Sequence, residues 1–130
     1  MLGVERGTSQ EALVRAALDG IAYRTRDAID ALRADSGFEI ESIRVDGGIA
    51  QNSYLCQRMA KMMTADVDRG ELLETTALSV AYAAGLAAGL RPDMGTIRER
   101  WRLSERFEPE ADPEEMDAQY DRWTDAVDIS

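Results

Sequence analysis

The sequence predicts a helix-rich α/β chain with a small, incomplete sheet, and three observations carry that expectation. Apolar residues recur at spacings of three and four from Leu13 to Leu32, the period of an amphipathic helix. The period then shortens across Phe38–Val45 and stops at Asp46-Gly47-Gly48, as in a strand running into a tight turn. Later segments return to helical spacing. The order is helix, strand, helix, strand, helix and then two further helices, and two strands offer too little surface for so many apolar helix faces. Something N-terminal, or a partner chain, is expected to supply the missing strands.

Taken in order, Thr8-Ser9-Gln10-Glu11 reads as a capping box with Thr8 as N-cap and Glu11 reaching back. Leu13, Ala17, Ile21, Thr25, Ile29 and Leu32 form the apolar stripe of the first helix, which ends at Ser36 with Gly37 as its left-handed cap. After the strand, a second helix places Tyr54, Leu55, Met59, Met62 and Met63 on one face. Asp66-Val67-Asp68 reads as a short strand. A third helix opens at Thr75 and runs to Leu90, with a stripe of small residues (Ala77, Ala81, Ala84, Gly85, Ala88, Gly89) suited to close packing. Arg91-Pro92-Asp93 breaks it. A short helix through Ile97 and Trp101, a turn holding Pro109 and Pro113, and a last amphipathic helix with Met116, Tyr120, Trp123 and Val127 complete the chain.

Composition narrows the function classes. The 130 residues fit one domain, and an apolar fraction of 45% is ordinary for a globular protein. Twenty-five acidic residues against 15 basic ones give a formal charge of −10. Such a chain repels phosphate backbones and anionic lipid, so neither nucleic acid nor a membrane is an expected partner. Lys61 is the sole lysine against fourteen arginines. Acid-rich, lysine-poor composition fits a protein adapted to high salt, although a GC-rich genome also favours Arg over Lys. With no histidine, imidazole-based metal sites and a histidine general base are excluded from this chain. Cys56 is the only cysteine, so there is no internal disulfide. No signal peptide or spanning segment is visible, and a cytoplasmic protein is expected.

The Asp46-Gly47-Gly48 turn is the candidate site. Glycine turns sharply without steric cost and leaves no side chain between backbone and ligand. A helix beginning just beyond it offers N–H groups and a positive dipole end, and strand ends in α/β sheets are common ligand positions. An adenine or a phosphate could lie on Gly47 and Gly48, with Asn52 one turn further supplying an amide that both donates and accepts. Spacing alone leaves a plain tight βα turn as the alternative. The segment is neither a Walker loop nor a dinucleotide fingerprint.

Several longer segments, in order, narrow this choice. Arg6-Gly7-Thr8-Ser9, Leu18-Asp19-Gly20-Ile21-Ala22-Tyr23-Arg24-Thr25-Arg26-Asp27 and Ile43-Arg44-Val45-Asp46-Gly47-Gly48 resemble the C-terminal domain of glycerol kinases. So do Glu74-Thr75-Thr76-Ala77-Leu78, the run Ala81 to Ala87, and Phe107-Glu108-Pro109 followed by Tyr120 and Trp123. Glycerol kinases are FGGY carbohydrate kinases, so the resemblance implies part of an actin-like, ribonuclease-H-like ATPase domain. It implies that residues 1–130 are the C-terminal portion of that C-terminal domain, and that ATP or ADP is contacted by Gly48 and Asn52, with Gly47 shaping the turn. It also implies that the catalytic base, the polyol pocket and the loops for Mg and phosphate lie in missing segments. No catalytic residue and no metal ligand is therefore assigned to this chain. The expected partners are an N-terminal kinase domain and further subunits of an oligomer, and the chain alone is expected to be inactive. A non-catalytic remnant or docking fragment is the alternative.

Where the family usually has Gly and Pro, this chain has Ser79 and Gly70, which implies a looser helix contact and a more flexible loop. The methionine-rich second helix, with Arg58 and Lys61 where less charge is expected, is a further departure; each is tolerable alone, and together the departures hint at relaxed selection or an altered partner surface. Asp46 is read as capping the turn rather than as a catalytic carboxylate or Mg ligand. Cys56 is read as a small buried apolar residue, and Trp101 and Trp123 as anchors of the terminal helices. The acidic run from Glu108 to Glu115 lacks the order of a calcium loop and is read as a solvated turn.

Overall fold

The computed structural model describes residues 3–71, 80, 83–85, 87–89 and 101–129. Among the described residues, the elements with defined bounds follow in the order α1 (Gln10–Ser36), β1 (Ser42–Val45), α2 (Ser53–Met63), β2 (Asp66–Gly70), β3 (Leu103–Phe107) and α3 (Pro113–Ile129), with a 3₁₀ turn (Gly48–Gln51) between β1 and α2. The sheet order is β1-β2-β3, with β1 parallel and β3 antiparallel to β2. A helical crossover between parallel strands is what the strand–turn–helix–strand sequence requires.

α1 starts one residue later than expected. Ser9 is the N-cap, its hydroxyl accepting from the Ala12 N–H at 3.2 Å, while Thr8 Oγ1 accepts from the Glu5 N–H at 2.9 Å. Glu11 is thus the second helical residue, and its carboxyl is held below the usual range by its own N–H and by the Ser9 hydroxyl. Gly37 ends the helix as expected, at φ 68° with its N–H on the Arg33 carbonyl. Arg33 then donates to the carbonyls of Ile40 (3.2 Å) and Met63 (3.0 Å), tying the ends of α1 and α2 together.

The core lies between α1, α2 and the sheet. Ala22 and Ile29 of α1 meet Leu55, Cys56, Met59, Ala60 and Met63 of α2, with Val67 and Phe107 beneath. Of the expected α1 stripe only Ile29 is buried, and Leu32 is 54% exposed. The real stripe is offset by about one residue, through Leu18 and Ala22. Two adjacent apolar stripes run along α1, and periodicity alone does not say which one meets α2. The α2 face fares better: Leu55, Met59, Met62 and Met63 are buried, and only Tyr54 lies outside.

β2 confirms the Asp66 strand and extends it to Gly70. Its Asp68 is 5% exposed and is met by the Arg106 guanidinium of β3 at 2.7 and 2.8 Å. A β-carbon at Gly70 would lie 2.8 Å from the Trp101 indole nitrogen, so the missing side chain gives room for Trp101 rather than looseness. Trp101 belongs to no helix. It lies under the Arg44 guanidinium, 4.3 Å from the ring centre, and leads into β3. In the expected third helix, Val80, 83–85 and 87 are helical and Gly89 has φ 79°. The rest of that helix, including Thr75, Ala77, Ser79 and Ala81, and the expected break and helix through Ile97, lie outside the described residues; of the small-residue stripe, Ala84, Ala88 and Gly89 are exposed and Gly85 is half-buried, so the expected close packing is not seen at these described positions.

α3 begins at Pro113, a position where a missing N–H costs nothing. Asp112 caps it, accepting from the Glu114 N–H at 3.1 Å, which gives one acidic residue of the 108–115 run a structural task. Trp123 anchors the helix as expected, stacked on Tyr23 at 5.2 Å and Tyr120 at 5.7 Å.

Two phenols report on these packings. Tyr54 donates to Asp19 at 2.7 Å and Tyr120 donates to Asp27. Burial first, then Asp19, raises the Tyr54 pKa, whereas the Asp27 hydrogen bond is the main cause for Tyr120. The folded chain therefore holds these protons more tightly than the unfolded chain, so stability falls as pH rises past the ordinary phenol value of about 10 and through the raised values. Denaturant unfolding across that range is expected to show the fall. A Tyr54→Phe, Tyr120→Phe double variant should flatten it; an unchanged slope would place the alkaline loss elsewhere.

Candidate nucleotide site

β1 delivers the turn at its carboxyl end. Val45 is the last strand residue and is paired with Arg69 of β2. Two residues later Gly47 has φ 81° and ψ −179°, a region open essentially to glycine alone. One 3₁₀ turn follows, closed by Ala50 N–H to the Gly47 carbonyl at 3.2 Å and Asn52 N–H to the Ile49 carbonyl at 3.1 Å. α2 therefore does not start directly after the glycines, as the strand-to-helix pattern implies; the 3₁₀ turn and Asn52 come first.

Asn52 ends the 3₁₀ turn and caps α2. Its side-chain oxygen accepts from the Leu55 N–H at 3.1 Å, satisfying one first-turn donor. The amide oxygen is thus engaged within the chain. A β-carbon at Gly47 or Gly48 would meet nothing within 4 Å, so both glycines face open space. The chain brings Gly47, Gly48 and Asn52 onto one turn.

Two further side chains hold the turn, and the sequence pattern singles out only the first. Cys56 is buried, its thiol donating to the Ala50 carbonyl at 3.3 Å, and burial pushes its pKa up. That fits the reading of Cys56 as a small packed residue. Arg69 Nη1 donates to the carbonyls of Ala50 (3.2 Å) and Gln51 (3.3 Å) and to Ser53 Oγ (3.2 Å). Its Nη2 meets Glu105, the residue paired with it across β2 and β3. The signal for Arg69 is a lone arginine at the end of a strand otherwise carrying Asp66 and Asp68.

A cavity of about 210 Å³ lies beside the turn, between Ile21 and Thr25 of α1 and Asp46, Ile49 and Met59. Larger hollows of about 580 and 590 Å³ lie along α1, one against α2 and α3 and one beside Tyr54. Gly47, Gly48 and Asn52 line neither of these. Among the described residues no three His, Cys, Asp or Glu side chains come together to hold a metal ion. Nor is any helix among them long and apolar enough to cross a membrane.

With this geometry in place, comparison with known proteins supplies the class. The model for the FGGY family of carbohydrate kinases, C-terminal domain, matches residues 1–88, and the chain belongs to that family. Over all 130 residues it is 49% identical to the glycerol kinase of Halobacterium salinarum and 46% identical to that of Haloarcula marismortui. It covers 26% of each relative's length, so it spans about a quarter of the proteins it matches. The crystal structure of Plasmodium falciparum glycerol kinase with ADP superposes with a TM-score of 0.75 at 26% identity, over 98% of this chain and 26% of that one. The fold is accordingly part of the actin-like, ribonuclease-H-like architecture of these kinases.

Proposed function

We propose that residues 1–130 form the C-terminal portion of the C-terminal domain of an ATP-dependent kinase acting on glycerol or a related polyol, and that Gly47, Gly48 and Asn52 form its adenine-nucleotide side. The observation that carries this is the open turn at the end of β1. Gly47 holds a conformation that side chains disfavour, and both glycines leave their outer face clear. A flat base or a phosphate can approach backbone there more closely than anywhere a β-carbon intervenes. The Plasmodium glycerol kinase, whose structure holds ADP, supports the same ligand class.

Phosphoryl transfer to an alcohol needs an oriented hydroxyl, a base and charge compensation around the phosphates. This chain supplies the nucleotide side alone. The remaining parts belong to an N-terminal kinase portion, in cis or as a separate chain. Its docking is supported by the edge of β1 that no described strand covers, and by Val14, Leu32 and Ile49, each 54% or more exposed. The chain alone is inactive in this reading. The assembled kinase is cytoplasmic, and its assembly into an oligomer is part of the same proposal.

The test is an amide substitution that spares the helix cap. Asn52→Asp keeps the acceptor for the Leu55 N–H, since Asp and Asn cap equally well, but removes the NH₂ donor. In kinase reconstituted by co-expressing this chain with the missing N-terminal part, KM for ATP should rise about tenfold, the worth of one hydrogen bond near 1.4 kcal/mol. KM for the polyol and the unfolding midpoint should stay put. Equal loss of both affinities would mean that Asn52 acts through folding. Failure to complement at all, with no ADP binding by calorimetry, would favour a non-catalytic remnant.

A further inference from the structure

Arg69 places no atom within 4 Å of a β-carbon built on Gly47 or Gly48, yet it holds the carbonyl end of the turn that follows them. A one-turn 3₁₀ helix leaves its last carbonyls without partners inside the helix. At the end of Gly48–Gln51, the carbonyls of Ala50 and Gln51 both accept from one Arg69 nitrogen, at 3.2 and 3.3 Å, and Ser53 Oγ accepts from it at 3.2 Å. The other terminal nitrogen is taken by Glu105. The guanidinium lies 5.3 Å from the Phe107 ring centre, and its side chain is 16% exposed. A planar fork held by a carboxylate and an aromatic ring has little freedom to rotate away.

Register explains why this residue can reach. Arg69 pairs with Val45, the last residue of β1, and with Glu105 of β3. It therefore stands beside the point where the chain leaves the sheet for the turn. β3 orients the guanidinium, and the guanidinium fixes the carbonyl end of the 3₁₀ turn. The other end of that turn is Gly47, whose unusual conformation needs surroundings that impose it.

We infer that Arg69, oriented by Glu105, is a positioning residue for the nucleotide turn: it sets the height and tilt of Gly47 and Gly48 without touching ligand. The inference rests on the nucleotide reading of that turn. Loss of Arg69 strips the Gln51 carbonyl of its guanidinium donor and leaves the Ala50 carbonyl to the Cys56 thiol, which lets the turn rock about Gly47, so nucleotide affinity falls while the polyol side is untouched. Arg69→Lys keeps the charge and part of the donor set, and Arg69→Gln keeps neither the charge nor the fork.

Two measurements separate the clamp from the nucleotide reading. Amide exchange by NMR on the 130-residue chain should show the Ala50 and Asn52 N–H groups exchanging about tenfold faster in Arg69→Gln, with Arg69→Lys intermediate and Ala22 and Ile29 unchanged. Uniform acceleration, or none at the turn, would overturn the clamp whatever the ligand is. In the reconstituted kinase, Arg69→Gln should raise KM for ATP about tenfold with kcat and the polyol KM held, and Arg69→Lys should recover part of it. If exchange at the turn quickens but KM for ATP does not move, the clamp is real and positioning of nucleotide is refuted. Glu105→Gln should reproduce a weaker form of both effects; no effect would remove Glu105 from the relay.

Discussion

Gly47→Val is expected to destabilise the chain by about 3 kcal/mol, because a β-branched residue cannot rest at φ 81°, ψ −179° without strain. Nothing within 4 Å would obstruct the new side chain. The loss is therefore conformational, and urea unfolding should show it as a lower midpoint at unchanged slope. Gly48→Ala next door is the contrast. Gly48 has no positive φ and equally open surroundings, so stability should shift by less than about 0.5 kcal/mol. If nucleotide lies on this turn, the added methyl occupies its approach, and the reconstituted kinase should lose ATP affinity with its fold intact. The pair of variants thus assigns one glycine to shaping and the other to contact. A stable Gly47→Val chain would show that the turn relaxes freely, and unaltered ATP affinity in Gly48→Ala would move the nucleotide off it.

This division of labour is partly legible in the residues. A strand ending in two glycines names its turn, and Gly37 names a helix end, because glycine marks backbone states that other residues avoid. β3 leaves no such mark. Four of its five residues are exposed, so Leu103-Ser104-Glu105-Arg106-Phe107 has no alternating apolar pattern, and it reads as a continuation of charged helix or turn. Burial would be its signature, and it has burial only at Phe107. The same blindness hides Arg69. Its partners are a backbone turn 18 and 19 residues earlier and a strand 36 residues later, separations that local pattern cannot connect. The cap of α1 escapes for a smaller reason: Thr8 and Ser9 are both competent N-caps, and the choice depends on one residue of phase.

Arg58 shows what the unexpected charge on α2 is for, and Arg58→Met should cost about 2–3 kcal/mol. Its side chain is 13% exposed and it donates to Asp19 at 3.0 Å, to the Tyr23 hydroxyl at 3.2 Å and to Gln119 Oε1. One guanidinium from α2 therefore ties α1 to α3. Removing one member of a half-buried pair leaves the other poorly solvated, a cost of about 3–5 kcal/mol for a fully buried pair. Asp19 keeps the Tyr54 hydroxyl at 2.7 Å, which lowers the expected figure. Methionine fills much of the same volume, so the loss reads the polar contacts rather than a cavity. The double variant Arg58→Met, Asp19→Asn should recover part of it, because the stranded carboxylate is gone. If the double variant loses as much as the two singles added together, the residues act independently and Arg58 is not the link. Since α3 shares this hub and the Tyr23–Trp123 stack, Trp123 fluorescence should shift at lower urea than the far-UV signal of α1 in the Arg58→Met chain. That order of events would identify α3 as the first element to leave.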